Sequence, residues 1–195
     1  MNDLEPDNSA PASDSARDPD ALILVDEADR SVGFLSKKLC HEGQGVLHRA
    51  FSLLIFNESG ELLIQQRAAS KRLWPMFWSN SCCSHPYGDE TMETATQRRL
   101  DEELGIHCPL RFLFKFQYQA QFDATGAENE LCSVFVGRSR EPIKANSEEI
   151  HDWRWIDLTA LNREISVDKG GTFTPWFKLE WARIWRDHRQ AVLVI

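Results

Sequence analysis

The chain has 195 residues, 42% hydrophobic content and a formal net charge of −8, which fits one ordinary domain with enough apolar mass for a core. The acidic balance argues against nucleic acid or an anionic membrane surface as partner, while an anionic substrate stays compatible if basic residues gather locally. No run approaches the ~18 apolar residues of a membrane span, and the start carries neither signal nor transit patterning, so a cytoplasmic location is expected.

Residues 1–20 hold six acids against one Arg, three Pro and almost no large apolar side chains. That composition predicts a disordered acidic tail ahead of a single domain over residues 21–195. The five cysteines are an odd number with no CxxC pair, unlike a secreted disulfide framework, and they fit reducing surroundings.

Residues 21–25 are a continuous apolar run, a strand, and residues 32–35 are placed to pair back on it. Residues 37–48 contain Gly43 and Gly45 and make a poor helix. On a straight helix His41 and His48 would stand roughly 10 Å apart along the axis, too far for one metal ion. A glycine-bent loop can bring them together. Residues 51–56 are apolar almost throughout, as a buried strand is. Residues 57–60 turn, and 61–66 run back as the partner. Arg67, Lys71 and Arg72 then cluster in a polar loop before Leu73 and Trp74.

Residues 78–86 follow an aromatic run and read as a polar turn holding Cys82, Cys83 and His85. Asp89 or Thr91 can cap a helix reaching about Leu104, with Gly105 as its stop. Met92, Thr96, Leu100 and Leu104 make its buried stripe, and Arg99 and Glu103 pair at the edge of that stripe. In residues 112–122 Phe112, Phe114, Phe116, Tyr118, Ala120 and Phe122 alternate with mostly polar residues, the clearest strand in the chain. Residues 128–136 return, with Glu128 and Glu130 on the face of Cys132, Val134 and Val136. Two carboxylates on a face that otherwise looks buried are costly unless ligated or protonated. Residues 153–156 form a further strand, and Asp157 or Thr159 starts a short helix. Thr174, Pro175 and Trp176 open a last helix to about His188, anchored by Trp176, Leu179, Trp181 and Trp185. Strands and helices alternate irregularly with long hairpins, which indicates an α+β fold over a doubly wound sheet.

Three groupings carry chemistry. His41, His48, His85, Glu128 and Glu130 offer imidazole nitrogen and hard oxygen, a set that suits octahedral Mn²⁺ or Mg²⁺ and also admits Zn²⁺. Cys82 and Cys83 are small packing residues in the plainest reading. Adjacent side chains diverge in a strand or tight turn, so one thiol at most faces a given pocket. Lys37, Arg67, Lys71 and Arg99 are each ordinary surface charges, and together with a carboxylate-held Mg²⁺ they can clamp a diphosphate. Seven Trp and eleven Phe serve either as core or as the wall of a water-excluding pocket. A structural module whose cysteines merely pack is the non-enzymatic alternative.

Glu90, Arg98, Leu100, Glu102, Glu103, Gly105 and Ile106 match the spacing of the Nudix box. Ser84 replaces its opening Gly, and Arg99 stands where Nudix hydrolases usually need a Glu, which counts against the alternative of diphosphate hydrolysis. Residues 37–41, 48–52, 66–71, 74–75, 78–86, 103–105, 128–132 and 174–176 then complete a pattern. In these elements, in this order, the chain resembles the type 1 isopentenyl-diphosphate isomerases, enzymes of isoprenoid biosynthesis with a Nudix-type mixed β-sheet core flanked by helices. The resemblance implies reversible conversion of isopentenyl diphosphate to dimethylallyl diphosphate. It implies Cys83 and Glu130 as the proton-transfer groups on opposite faces of the substrate, with Tyr118 beside Glu130 and Trp176 over the alkene. It also implies a metal on His41, His48, His85, Glu128 and Glu130, and Mg²⁺ bridging Glu103 to the diphosphate.

Overall fold

The computed structural model describes residues 20–88 and 90–193. The expected tail, apart from Asp20, and Asp89 as a helix cap lie outside the described residues. β1 (Ala21–Val25) and β2 (Ser31–Ser36) form the expected hairpin. One helical turn, α1 (Lys37–Cys40), leads into a loop where Gly43 and Gly45 take φ of 60° and 75°. These left-handed values are open to glycine at little cost. They let the chain double back so that His41 and the start of β3 (His48–Phe56) come together.

Period two splits β3 between two cores. Phe51, Leu53 and Ile55 pack with Leu63, Leu100 and Leu104, while Ala50, Leu54 and Phe56 pack with Val134, Phe177 and Trp181. Both faces of β3 are therefore covered, which is why its sequence is apolar without alternation. β3 continues through the turn at residues 57–60 into β4 (Leu62–Arg67). It also pairs antiparallel with β6 (Cys82–Ser84) and parallel with β8 (Gly126–Arg138). β7 (Leu110–Asp123) lies against β8 as a long hairpin, and β4 carries β5 (Trp78–Ser79) and β9 (Ile150–Ile156). Helix α2 (Met92–Leu104) covers one face of this mixed sheet, and α3 (Leu158–Val167) and α4 (Pro175–Arg183) cover the other. The result is the expected α+β arrangement. Thr91 caps α2 by accepting from Thr94 N, and Gly105 ends it at φ 63°.

Four expectations need correction. Residues 78–86 are not one turn: they supply β5 and β6, and Ser79, Asn80 and Ser81 are buried. Phe112 is 52% exposed because the pairing of β7 with β8 slips between Phe112 and Phe114. A bulge of this kind turns the side chains beyond it to the other face. Leu179 is exposed, since the buried stripe of α4 runs through Trp176, Phe177, Glu180 and Trp181. The last helix is not uniform either. It widens to a π turn at Ile184–His188 and resumes as α5 (Arg189–Leu193). No helix among the described residues is long and apolar enough to cross a membrane.

Candidate active site

The polar residues ahead of the cysteines form a buried clamp. Ser81 Oγ donates to Leu63 O at 2.6 Å and accepts from Ile55 N at 2.8 Å, tying β6 to β3 and β4. Asn80 Nδ2 donates to Cys82 O at 2.7 Å. On this short strand Cys82 faces the α2 core and is fully buried, while Cys83 faces the opposite side, directly across from Ser52. The divergence of the two thiols follows from the pleat.

Four further elements bring ligand atoms to the same side of the sheet. β3 supplies His48, β8 supplies Glu130, the segment after β6 supplies His85, and the glycine loop supplies His41. One ligand atom from each of these four lies within 4.8 Å of the others. His48 stands opposite Glu130 in the parallel register, and Tyr118 opposite Glu130 in the antiparallel one. His48 Nε2 is 3.1 Å from His85 Nε2 and 3.7 Å from Glu130 Oε1, and His85 Nε2 is 3.1 Å from the same oxygen. Glu128 stands one step back, with its Oε2 at 2.8 Å from His41 Nε2.

The tautomers follow from the partners. His41 Nδ1 lies 2.6 Å from Lys37 O and His48 Nδ1 lies 2.7 Å from Val46 O. A carbonyl only accepts, so both Nδ1 atoms carry hydrogen, and in the neutral tautomer this fixes, each ring turns a bare Nε2 to the centre. Burial, reinforced by His48, pulls the His85 imidazole down to about 3 against the opposing pull of Glu130. Burial also disfavours the charged form of His41, but the Glu128 carboxylate beside it outweighs burial and raises the pKa. Bare imidazole nitrogens and carboxylate oxygens converging in a buried space repel one another unless a cation lies between them. The donor set therefore fits a divalent metal ion.

A cavity of about 420 Å³ opens beside this cluster, small among ligand sites and suited to a short-chain molecule. Cys83, Tyr118, Glu130 and Trp176 line it, together with Lys37, Arg67, Lys71, Arg72 and Arg99. Tyr118 OH donates to Glu130 Oε2 at 2.8 Å. Burial and then the Glu130 charge hold that phenol well above its usual pKa, so it keeps its proton. Burial also pushes the Cys83 thiol up to about 12, although Arg67 pulls the other way. The Trp176 indole donates to Ser79 Oγ at 3.0 Å and meets Trp74 edge-on at 5.2 Å. Arg67 donates to Leu73 O and Trp74 O and lies over the Trp176 ring at 5.3 Å. It thus braces the loop that walls the cavity.

The cationic side chains are wired through Glu149, which the sequence did not single out. Glu149 pairs with Lys71 and, at 3.2 Å, with Arg99, and Arg99 also pairs with Glu103. Burial first, then the charges of Lys71 and Arg99, lower the Lys37 pKa, a mark of crowded positive charge. Glu103 is buried behind Arg99 and does not line the cavity.

Residues 46–177 match the NUDIX domain. A Photorhabdus laumondii protein named isopentenyl-diphosphate Delta-isomerase 1 is 44% identical over 86% of this chain and 96% of its own length. A Burkholderia multivorans protein named isopentenyl-diphosphate Delta-isomerase is 42% identical over 80% of this chain and 88% of its own. Among solved structures, a Deinococcus radiodurans protein superposes with a TM-score of 0.70 at 25% identity, covering 85% of this chain and 99% of that one. A MutT protein from Methanosarcina mazei follows the same fold with a TM-score of 0.59 at 21% identity, over 73% of this chain and 96% of that one.

Proposed function

Because the chain belongs to the NUDIX family, among its isopentenyl-diphosphate Delta-isomerases, we propose that it interconverts isopentenyl and dimethylallyl diphosphate using Cys83 and Glu130. It is an isomerase that moves one C=C bond. The observation that carries the residue assignment is the convergence of a thiol, a Tyr-bonded carboxylate and an indole in one small cavity that basic side chains also line.

The cations place the substrate. Lys37, Lys71 and Arg99 hold the diphosphate, and the five-carbon chain then reaches between Cys83 and Glu130. One of the two adds a proton to the terminal alkene carbon, which makes a tertiary cation. The other removes a proton from the carbon next to the CH₂O. The proton count is balanced, and in the reverse direction each group reverses its own transfer at its own carbon, the acid of one direction serving as the base of the other. Tyr118 steadies the carboxylate through its hydrogen bond. The Trp176 face favours the cation through its quadrupole and, with Trp74, keeps out the water that would trap it.

A divalent ion on His41, His48, His85 and Glu130, with Glu128 behind His41, would lend Glu130 positive charge and strengthen its protonated form as an acid. Three imidazoles with carboxylate oxygen suit Mn²⁺ or Zn²⁺ as well as Mg²⁺. Glu103 would hold the Mg²⁺ that accompanies the diphosphate only with Arg99, which now pairs with it and covers it, turned aside. All five cysteines are free, which supports a reducing cytoplasm and leaves Cys83 available.

Hydrolysis of the diphosphate is disfavoured by Arg99. Its guanidinium pairs with Glu102 at 2.7 Å and with Glu103, neutralising the helix carboxylates that would activate water. The test is Cys83→Ala, followed by allylic product and free diphosphate in parallel. Loss of more than about 100-fold in product, with no diphosphate released, is expected. Undiminished isomerisation would remove Cys83 from the mechanism.

A further inference from the structure

Glu180 is a buried carboxyl that the scheme above leaves unused. It lies four residues after Trp176 on the same face of α4 and is fully buried. Its Oε1 is 3.9 Å from Cys132 Sγ, which is itself 3.4 Å from Ser52 Oγ. Its Oε2 has no hydrogen-bond partner among the described residues. Ser52 is directly across from Cys83 on β6, and Cys132 follows Glu130 by two residues on β8. Glu180 thus meets the sheet on the floor of the active site, where an aliphatic side chain would pack without a desolvation penalty.

The helix α4 therefore has two polar seats on the sheet. The first is at its start, where the Trp176 indole reaches Ser79 and Asn80, and Thr174 Oγ1 meets Ser79 Oγ at 3.0 Å. The second is Glu180, one turn on. We propose that Glu180 is a positioning residue for Trp176: its neutral carboxyl, seated against Cys132, fixes α4 so that the indole stays over the cavity, and its ionisation releases that seat.

The surroundings enforce the neutral form. The groups facing Glu180 are Ser52 from β3, Cys132 and Glu130 from β8, and Cys83 from β6, and among the described residues no cation lies at ion-pair distance from it. Burial first, and then the charge of Glu130, push this carboxyl up to about 8, while Ser52 and Cys132 nearby pull the other way. An anion here is unpaired in an apolar layer, so its ionisation and the seating of α4 oppose each other. The inference rests on the assignment of Trp176 to the reacting carbons.

The test compares kcat/KM between about pH 7 and about pH 9 for the wild type and Glu180→Gln, whose amide keeps the shape and cannot ionise. The wild type should lose about tenfold across that range as the neutral form is titrated, and the variant should escape this fall. Superimposable profiles overturn the proposal. A second arm needs no variant: infrared spectra of the wild-type protein should show a protonated carboxyl stretch at neutral pH that disappears by about pH 9. Absence of that band at neutral pH also overturns it. Trp176→Ala in the same assay separates the two claims. If that variant is impaired while the Glu180→Gln and wild-type profiles coincide, only the present inference fails. If it is fully active, the assignment of Trp176 fails and takes the inference with it.

Discussion

His48 stands directly opposite Glu130 in the parallel register of β3 with β8. Opposed residues share a face, so this pairing delivers an imidazole and a carboxylate to one point. Tyr118 arrives there from β7, opposite the same glutamate. A slip of one residue along β8 would present Asn129 or Leu131 in its place and dissolve the site. The strands that make the core therefore also make the ligand set.

The first prediction concerns that set. The purified protein should carry a divalent ion in stoichiometric amount. His48→Ala should weaken its binding by more than about 100-fold, beyond what the loss of an outer hydrogen-bond partner usually costs. Metal analysis after dialysis measures this. An ion retained at full stoichiometry in the variant would place the metal elsewhere.

Tyr118→Phe removes one hydroxyl and keeps the ring stacked on Phe116 at 5.5 Å. What is lost is the 2.8 Å bond to Glu130 Oε2. A hydrogen bond to a charged group is worth roughly 1.5–3 kcal/mol, so kcat should fall about 10- to 150-fold. KM should move little, because the proposed role of Tyr118 is at the reacting carbons and not at the diphosphate. A change confined to KM would assign the phenol to binding.

Gly126 ties the β7–β8 turn to the loop that carries His41. Ala127 N donates to His41 O at 3.0 Å, and a Cβ on Gly126 would meet that carbonyl oxygen at 2.0 Å. The backbone there has φ 157°, which side chains rarely adopt. Gly126→Ala should therefore displace His41, cost about 1–3 kcal/mol of stability and weaken metal binding together. Calorimetry with and without added metal would report both. Destabilisation with unchanged metal affinity would uncouple the turn from the site.

Much of this was legible in the sequence, for physical reasons. Glu128 and Glu130 were marked by period two on an apolar face, and His41 and His48 by the glycines that bend the loop between them. The Arg99–Glu103 pair followed from helical spacing. Phe112 was misplaced because a bulge leaves no mark in an alternating run. Residues 78–86 looked like a solvent turn because their polar side chains are spent inside, on the backbone of β3 and β4. Glu149 was invisible because its partner Lys71 is 78 residues away. Glu180 does leave a signal, an acid inside the stripe of Trp176, Phe177 and Trp181, whereas Leu179 stands outside that stripe.

Glu149 makes an acid-stability prediction. Burial alone would raise its carboxyl, but Lys71 and Arg99 outweigh it and hold the group at about 2, against an ordinary 4.5. Its ionised form therefore favours the folded state above about pH 4.5, and that contribution is lost as pH falls through about 2. Allowing for solvent screening, Glu149→Gln should cost about 1–2 kcal/mol at neutral pH and nothing at the acid end. Chemical unfolding at several pH values measures the difference. An equal gap at both ends would mean that packing, not charge, is what the substitution removes.

The central claim is that this chain adds a proton to one carbon of isopentenyl diphosphate and takes one from another. Incubation with that substrate and Mg²⁺ in D₂O tests it directly. Deuterium should enter the new methyl group of dimethylallyl diphosphate, and Glu130→Gln should abolish the incorporation. Release of inorganic diphosphate with no allylic product, or product formed without deuterium in that methyl, would contradict the account.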